Sequence, residues 1–322
     1  MNSTPHTRDT ASASASASAQ ERTSDNPGKR AGTASPDMSP AVAFSTLAAP
    51  MVAQVAQRIG TLCVSADPES LHKLRVALRR LRSLWWAYDP LIDRSQARWQ
   101  RREFKALADS AAQTRDWDIL KHLLAEDALT PHSFAVLIER VDLLRGEALL
   151  CSRATIAAAN VEAMLAQRIA GVMLQLDACS FDEPLAVFAA NRVAKAKRAL
   201  RKRMERVLRN PDAVYAEIHD VRIAGKKMRY LLEFFAPLLD SGNEIGVVDL
   251  TQLQDELGKL NDIVSSEALL VEHTSQLGGH DVVEDAIAYL GHRKVDHMQR
   301  AEALLRAFSG TFAGECPDAG MR

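Results

Sequence analysis

HDVRIAGKKMRYLLEFF, residues 219–235, places basic and apolar side chains next to one another on one predicted helix. At 100° per residue, Arg222, Lys226 and Arg229 fall beside the apolar stripe rather than opposite to it. A surface helix usually keeps its charges opposite the core, where water solvates them. Cations that border the core must face a groove or channel. Holding cations there costs free energy unless an anion is bound. The stretch therefore predicts a helix that lines an anion-binding groove.

A second stretch, LHKLRVALRRLRSLWWAY at residues 71–88, repeats this arrangement. Five polar residues match at a constant offset of 147: His72 with His219, Arg75 with Arg222, Arg79 with Lys226, Arg80 with Lys227, and Arg82 with Arg229. A further pair of motifs, QTRDWD and KLNDIV, follows at an offset of 146. Two matches in the same order and at nearly the same spacing predict an internal duplication, and so two halves of similar fold.

From Ala41 onward, apolar residues recur with a helical period and with almost no strand-like alternation. Proline and glycine separate the predicted helices. These helices cover 43–61, 69–88, 95–127 and a long, broken 132–178, then 184–208, 214–238, 246–276 and 281–309. Four helices followed by four predict an all-α fold of two four-helix bundles related by a pseudo-twofold axis. We place the first bundle at residues 41–180 and the second at 181–312, with the two basic helices facing one another.

The chain ends and the cysteines give further expectations. Residues 1–40 carry an Ala-Ser run without apolar periodicity, which predicts a disordered tail, and residues 313–322 are expected to be flexible. The tail lacks the apolar segment of a secretion signal, and no later stretch reaches 18 uninterrupted apolar residues. We therefore expect a soluble, cytoplasmic protein. The cysteines show neither C-x-x-C nor zinc spacing, so we expect reduced thiols and no metal site; they are Cys63, Cys151, Cys179 and Cys316.

The net charge of −1 hides a strong segregation of charge along the chain. Residues 192–229 contain 13 Lys and Arg against 4 Asp and Glu, and residues 72–105 contain 10 against 3. From residue 231 to the end the balance is 6 against 16. The basic segments are those that we place at the groove, so the composition favours an anionic partner.

More cations extend this surface beyond the duplicated helices. One face of the helix before His219 carries a basic stripe with no equivalent in the first half, and the third helix carries another with no equivalent in the second. The predicted binding residues are His72, Arg75, Arg79, Arg80, Arg82, Arg101, Lys105, Lys195, Arg198, Lys202, His219, Arg222, Lys226, Lys227 and Arg229. Because the edges differ, a ligand lying across this surface would not be held symmetrically.

LHKLRVALRRLR and IHDVRIAGKKMRYLLEFF, each followed by its Asp-containing element, resemble the two signature halves of the CHAD family, the conserved-histidine α-helical domain. The resemblance covers roughly residues 41–310. It implies two four-helix bundles around a basic central pore that binds inorganic polyphosphate, and an association with cytoplasmic polyphosphate granules. Polyphosphate has no base edges or rings, so closely spaced cations suit it: arginine grips phosphate oxygens as a fork, and lysine acts as a mobile point charge.

The two histidines can either orient neighbouring groups or contact phosphate directly. A metal site or phosphoryl transfer is less favoured, because the positions four residues on are Val76 and Ile223, which are not ligands. Gly225 interrupts the second basic helix, and its weak helix propensity predicts a close approach of a neighbouring element there.

Acidic residues accompany both basic helices. Asp116 and Asp262, with Asp109 and Asp255 seven residues earlier, are predicted to hold the arginines in position. Acid/base chemistry is the alternative role for such carboxylates.

Two other function classes stay open beside polyphosphate binding. Nucleic acid could bind the basic helices, although no recognised nucleic-acid module appears. An enzyme acting on phosphoanhydrides would need a P-loop, a carboxylate cluster for metal or an activated nucleophile, and we find none in the sequence. The sequence therefore predicts a binding module without cofactor, and it leaves a homo-oligomer possible.

Overall fold

The computed structural model describes residues 34–64, 68–126, 134–178, 183–210, 214–239 and 247–313. Within these ranges the regular structure is entirely helical. In the first half the α-helices are α1 Pro40–Val64, α2 Pro68–Ala87, α3 Arg94–Ser110, α4 Ala112–Ala125, α5 Ala135–Ala158 and α6 Val161–Ala178. In the second half they are α7 Leu185–Arg209, α8 Tyr215–Phe235, α9 Val247–Glu272 and α10 His280–Ala313. Short 3-10 helices, Asp89–Leu91 and Ala236–Leu238, follow α2 and α8.

Two helices of the first half are broken where their counterparts in the second half are continuous. The predicted third helix divides at Ala111 into α3 and α4, and the carbonyl of Ser110 there accepts a 2.6 Å hydrogen bond from the Ser152 hydroxyl. The predicted long helix divides into α5 and α6, which meet at 52°. Asn160 occupies this break with a φ of 40°, a conformation that asparagine tolerates better than most residues. The predicted break in this helix is confirmed.

Two apolar clusters form the core, and each contains residues from both halves of the chain. In the larger cluster, Phe44 meets the rings of Trp85 and Tyr88 edge to face at 5.0 and 5.1 Å, and Tyr88 lies 5.7 Å from Phe188 of α7. The smaller cluster joins Trp117 and its neighbours on α4 and α5 to apolar residues of α9 and α10. The two halves therefore stabilise one another through shared burial.

The two basic helices, α2 and α8, contact one another, and α9 packs against both α8 and α4. Gly225 lies where α8 meets α9: a Cβ atom at that position would stand 2.0 Å from Nε2 of Gln254. The predicted close approach at this glycine is confirmed.

Several expectations concern segments that the structure describes only in part. Most of the predicted tail, and all but one residue of the segment 313–322, lie outside the described residues, whereas Ala34 at the end of the tail is buried in the larger cluster. Cys151 is a free, exposed thiol, and the side chains of the other three cysteines are outside the described part. In the described ranges, no single helix is long and apolar enough to cross a membrane; the bent pair α5 and α6 meets the length and composition requirement only together.

Candidate functional site

A cavity of about 630 Å³ opens between α2, α3 and α8. Eight of its lining side chains are cationic and one is acidic, which gives the cavity a strong positive potential. The cations are Arg79 and Arg82 from α2, Arg98, Arg101, Arg102 and Lys105 from α3, and Lys226 and Lys227 from α8. The remaining lining residues are Ser83, Trp86, Asp89, Ile223 and Tyr230.

Helix geometry explains why these side chains meet in one place. On α2, Arg79 and Arg82 are three residues apart and so lie on one face, beside a core face that includes Leu81 and Trp85. On α3, the stripe of cations lies beside the core face, which includes buried Phe104. The Asp93 side chain accepts hydrogen bonds from the backbone N–H groups of the first turn, which fixes where α3 begins.

Some of these cations are fixed by partners within the protein. The Nε of Arg79 donates a 2.8 Å hydrogen bond to the Tyr230 hydroxyl, and Arg101 forms a 2.5 Å ion pair with Asp89. The ammonium of Lys227 lies 5.2 Å from the centre of the Trp86 ring. These contacts hold positive groups towards the cavity without neutralising most of its charge.

Lys226 is the cation whose charge the cavity disfavours most clearly. Burial, together with neighbouring Arg222 and Arg79, lowers the pKa of this lysine to about 7. Burial also lowers the pKa of Arg82, although a guanidinium stays protonated at any physiological pH. The negative charge of an anion in the cavity would offset the cost of desolvating these cations and the repulsion between them.

A mixed cluster of charges lies beside this cavity, between α2, α4, α8 and α9. Arg75 approaches Asp116 with Nη1 and Oδ1 3.9 Å apart. Burial raises the pKa of both Asp116 and Asp262, while Arg75 and Arg222 respectively oppose that shift. These contacts fit the predicted role of the two carboxylates in holding the arginines.

The other two predicted acidic partners differ from one another. Asp109 forms an ion pair with Lys105 along α3, whereas Asp255 on α9 is exposed to solvent.

His72 lies at the edge of the mixed cluster. Burial and the nearby Arg115 lower the pKa of His72 to about 4, so its ring is neutral at neutral pH. Its Nδ1 is buried and has no hydrogen-bond partner among the residues that the structure describes.

His219 is held by a chain of polar contacts. Its Nδ1 lies 3.1 Å from the Tyr215 hydroxyl, which donates a 3.0 Å hydrogen bond to Oδ1 of Asn261. Because that hydroxyl has a single proton, its contact with His219 assigns the ring proton to Nδ1. The Nε2 atom is then an acceptor, which suits an orienting role better than contact with a phosphate oxygen.

The sequence profile of the CHAD domain matches residues 47–271 of this chain. The chain belongs to the CHAD family. The crystal structure of the CHAD domain from the plant Ricinus communis superposes with a TM-score of 0.72, at 25% identity, covering 91% of this chain and 98% of that one. PptA from Streptomyces chartreusis gives a TM-score of 0.48 at 16% identity, covering 86% and 100%. No curated protein matches the sequence significantly. The predicted all-α CHAD fold is confirmed, and the pseudo-twofold axis stays a prediction.

The CHAD cavity gathers six of the fifteen predicted residues: Arg79, Arg82, Arg101, Lys105, Lys226 and Lys227. The paired residues His72, Arg75, His219 and Arg222 belong instead to the adjoining mixed cluster. Arg80 forms a 2.5 Å ion pair with Glu233 that links α2 to α8. Arg229 stacks over the Tyr230 ring at 4.9 Å.

The predicted residues of α7 lie further out on the CHAD domain. Lys195 lines a depression of about 410 Å³ that shares Trp86, Asp89, Arg98 and Arg101 with the cavity. Arg198 and Lys202 line a separate depression on the same helix. Lys195, Arg198 and Lys202 do not line the cavity between α2, α3 and α8.

Seven lining residues of the CHAD cavity are not among the predicted binding residues: Ser83, Trp86, Asp89, Arg98, Arg102, Ile223 and Tyr230. Arg98 was recognised only as part of the α3 stripe, and Arg102 was missed, although it stands four residues after Arg98 on the same helix. Trp86 is half-buried and lines the cavity, whereas Trp85, Trp117 and Tyr230 are buried. Among the described residues, no group of His, Cys, Asp and Glu could hold a metal ion.

Proposed function

We propose that this CHAD chain binds inorganic polyphosphate in the cavity between α2, α3 and α8. The observation that carries the proposal is the convergence of eight cations from three helices on about 630 Å³ that contains one carboxylate. An unbranched chain of phosphates presents only negative oxygens, which suits arginine forks and lysine point charges. Association with cytoplasmic polyphosphate granules is part of the same proposal, because a bound polymer would carry the protein with it.

The electrostatics of the cavity support an anionic ligand. Arg82 and Lys226 both bear a cost of burial, and Arg79 adds repulsion to each. Repulsion between the cavity cations raises the free energy of the protein without ligand. Because water screens this repulsion only partly, a polyanion that removes it binds favourably.

Charge reversal of Arg82→Glu and Lys226→Glu together tests the proposal. We expect the double variant to lose at least a hundredfold in affinity for long-chain polyphosphate, measured by isothermal titration calorimetry. The control is Arg300→Glu with Arg306→Glu on α10, two exposed positions outside the cavity that change the net charge equally. An equal loss in both variants would mean that affinity follows net charge and not this cavity.

Competition separates polyphosphate from other polyanions. We expect long-chain polyphosphate to displace single-stranded DNA and inositol hexakisphosphate at equal phosphate concentration. Preferred binding of DNA would instead support the nucleic-acid alternative, in which the basic helices hold a phosphate backbone.

The proposal includes binding without cleavage. Cleavage would need an activated water or nucleophile. The Nδ1–H of His219 donates to Tyr215 and leaves Nε2 as an acceptor, so this histidine is one of the two to test as a general base. We expect polyphosphate chain length to stay constant during incubation with magnesium or manganese. Shortening that disappears in His72→Gln or His219→Gln would favour an enzyme acting on phosphoanhydrides.

A further inference from the structure

The outward face of α5 carries three large apolar side chains that nothing in the described structure covers. Val136, Leu143 and Leu150 are 65%, 62% and 68% exposed. Single exposed apolar residues are ordinary, but these three stand at intervals of seven residues on one helix. Ala157, also exposed, continues the series one interval further.

A seven-residue interval keeps side chains on one line along a helix, which is the pattern by which a helix packs against a partner helix. From Val136 to Leu150 this line is about 21 Å long at a rise of 1.5 Å per residue. The opposite face of α5 already packs in the smaller core cluster through Leu137 and Val141. The outward line is therefore a second apolar face on a helix whose first face is satisfied. We call these three residues, Val136, Leu143 and Leu150, the α5 seam.

The charges beside the seam are complementary between two copies that pair antiparallel. Arg140 and Glu147 flank Leu143 on the same side, seven residues apart. If two copies pair antiparallel with their twofold axis at Leu143, Val136 faces Leu150 of the other copy, and Arg140 faces Glu147 twice. On the other flank, Glu139 then faces the Gly146 position, where even an added Cβ would meet nothing within 4 Å. Such an interface uses the same patch on both copies, as a closed dimer requires.

We propose that two copies of this chain pair through the α5 seam as an antiparallel dimer. A parallel, in-register pairing would place Arg140 of one copy beside Glu139 of the other but also Asp142 beside Glu147, so its charges complement one another less well. A membrane is also disfavoured, since helices that lie on lipid carry mostly lysine and arginine beside their apolar face, whereas this seam is flanked by two glutamates. Two single helices bury less than a standard interface, so the dimer is weak and depends on concentration.

Sedimentation velocity over a range of concentrations measures the association directly. We expect the mean mass to rise with concentration for the unmodified chain, and to stay that of a monomer for Leu143→Glu with Leu150→Glu. The control is Val271→Glu with Val295→Glu, two similarly exposed apolar residues on α9 and α10, which should leave the association unchanged. A monomer at every concentration, or equal effects of both pairs, would overturn the proposal.

Charge exchange and cross-linking test the antiparallel register. Arg140→Glu alone should weaken the dimer, and Arg140→Glu with Glu147→Arg should restore it. In a Cys151→Ser background, Leu143→Cys should form a disulfide with its own copy, because that position lies on the axis. Val136→Cys should instead cross-link to a chain carrying Leu150→Cys and not to itself. Self-cross-linking of Val136→Cys, or seam-dependent binding to phosphatidylcholine vesicles without dimerisation, would contradict this arrangement.

This dimer does not depend on polyphosphate. The seam variants should keep full polyphosphate affinity, and the Arg82→Glu, Lys226→Glu variant should keep the dimer. The two proposals can therefore fail separately.

Discussion

At the scale of single residues, burial and repulsion change the pKa of Lys226 in a way that favours binding of an anion. An ordinary lysine has a pKa near 10.4 and would be fully charged throughout the physiological range. In the cavity the pKa falls to about 7, first because of desolvation and then because of Arg222 and Arg79. Near neutral pH, this lysine is therefore only partly charged until a ligand arrives.

We predict that polyphosphate affinity decreases as pH rises above 7. A bound phosphate chain restores the lysine charge and raises its pKa, so binding takes up a proton wherever the free protein has lost it. The affinity should then fall by up to tenfold per pH unit between about 7 and the pKa in the complex. Calorimetry from pH 6 to 9 in buffers of different ionisation enthalpy measures both the affinity and the number of protons taken up on binding.

The matched variant is Lys226→Arg, whose guanidinium stays charged across this range. Its affinity should depend less on pH, without proton uptake. An unchanged pH profile in this variant would assign the titration to another group.

The lowered pKa also affects the fold itself. The unfolded chain holds its lysine proton up to a higher pH than the folded chain does, so this residue makes the fold more stable as pH rises from about 7 towards 10. Below pH 7 both states are protonated, and this contribution to stability becomes constant.

At the scale of helices, the sequence predicted the two basic helices best. The offset of 147 residues between α2 and α8 is visible because both carry the same cations beside the same apolar stripe. Each of these two helices has an apolar stripe to bury, and the two helices contact one another. The division of the third helix at Ala111 was not predictable in the same way, because alanine favours a continuous helix and the hydroxyl that caps the break, Ser152, is 42 residues away.

The third wall of the cavity shows a similar limit. The cations of α3 were recognised as a stripe, but a stripe alone does not tell which groove it faces. Its position depends on packing of α3 against α2 and α5, which is a tertiary effect. For the same reason, the outer cations of α7 were grouped with the cavity although they lie apart from it.

The contact between α8 and α9 gives a prediction at this scale. Gly225→Ala should reduce the free energy of unfolding by roughly 1 kcal/mol, because the added methyl displaces buried Gln254 and this overpacking outweighs the better helix propensity of alanine. In a Gln254→Ala background, the same change should stabilise the protein by about 1 kcal/mol. Urea unfolding of the four chains forms a double-mutant cycle. Equal effects of Gly225→Ala in both backgrounds would show that the two residues do not conflict.

At the scale of the whole molecule, the duplication in sequence does not divide the core. Both apolar clusters combine residues from the two halves, and the predicted boundary near residue 180 falls in a segment, 179–182, outside the described residues. Sequence repetition reveals that two units exist. How their apolar faces are shared depends on side chains that are distant in sequence, such as Tyr88 and Phe188, which are 100 positions apart.

We predict a single cooperative unfolding transition for the described body. Because each half covers apolar surface of the other, neither half can unfold without exposing the partner's core. Calorimetry should give equal calorimetric and van't Hoff enthalpies without ligand. Fragments 41–180 and 181–312 made separately should lack such a transition, and two resolved transitions in the intact chain would mean that the halves are independent domains.

The last prediction concerns how the molecule as a whole holds its ligand. If polyphosphate is bound mainly by charge, each neutralised phosphate releases condensed counterions, and log affinity should fall linearly with log salt. Of the eight cavity cations, Arg101 and Lys105 already have carboxylate partners, which leaves six for the ligand. With about 0.7 ions per contact for a single-stranded polyanion, the slope should be about −4. It should become shallower by about 1.4 when Arg82 and Lys226 are replaced by Met. Affinity should rise with chain length until all six cations are engaged, so pyrophosphate and triphosphate should bind more weakly and with smaller slopes. Titrations from 50 to 300 mM NaCl with chains of defined length measure both relations. A slope that does not change with chain length would show that only a few phosphates are bound, and the ligand would then be a small phosphate compound rather than a polymer.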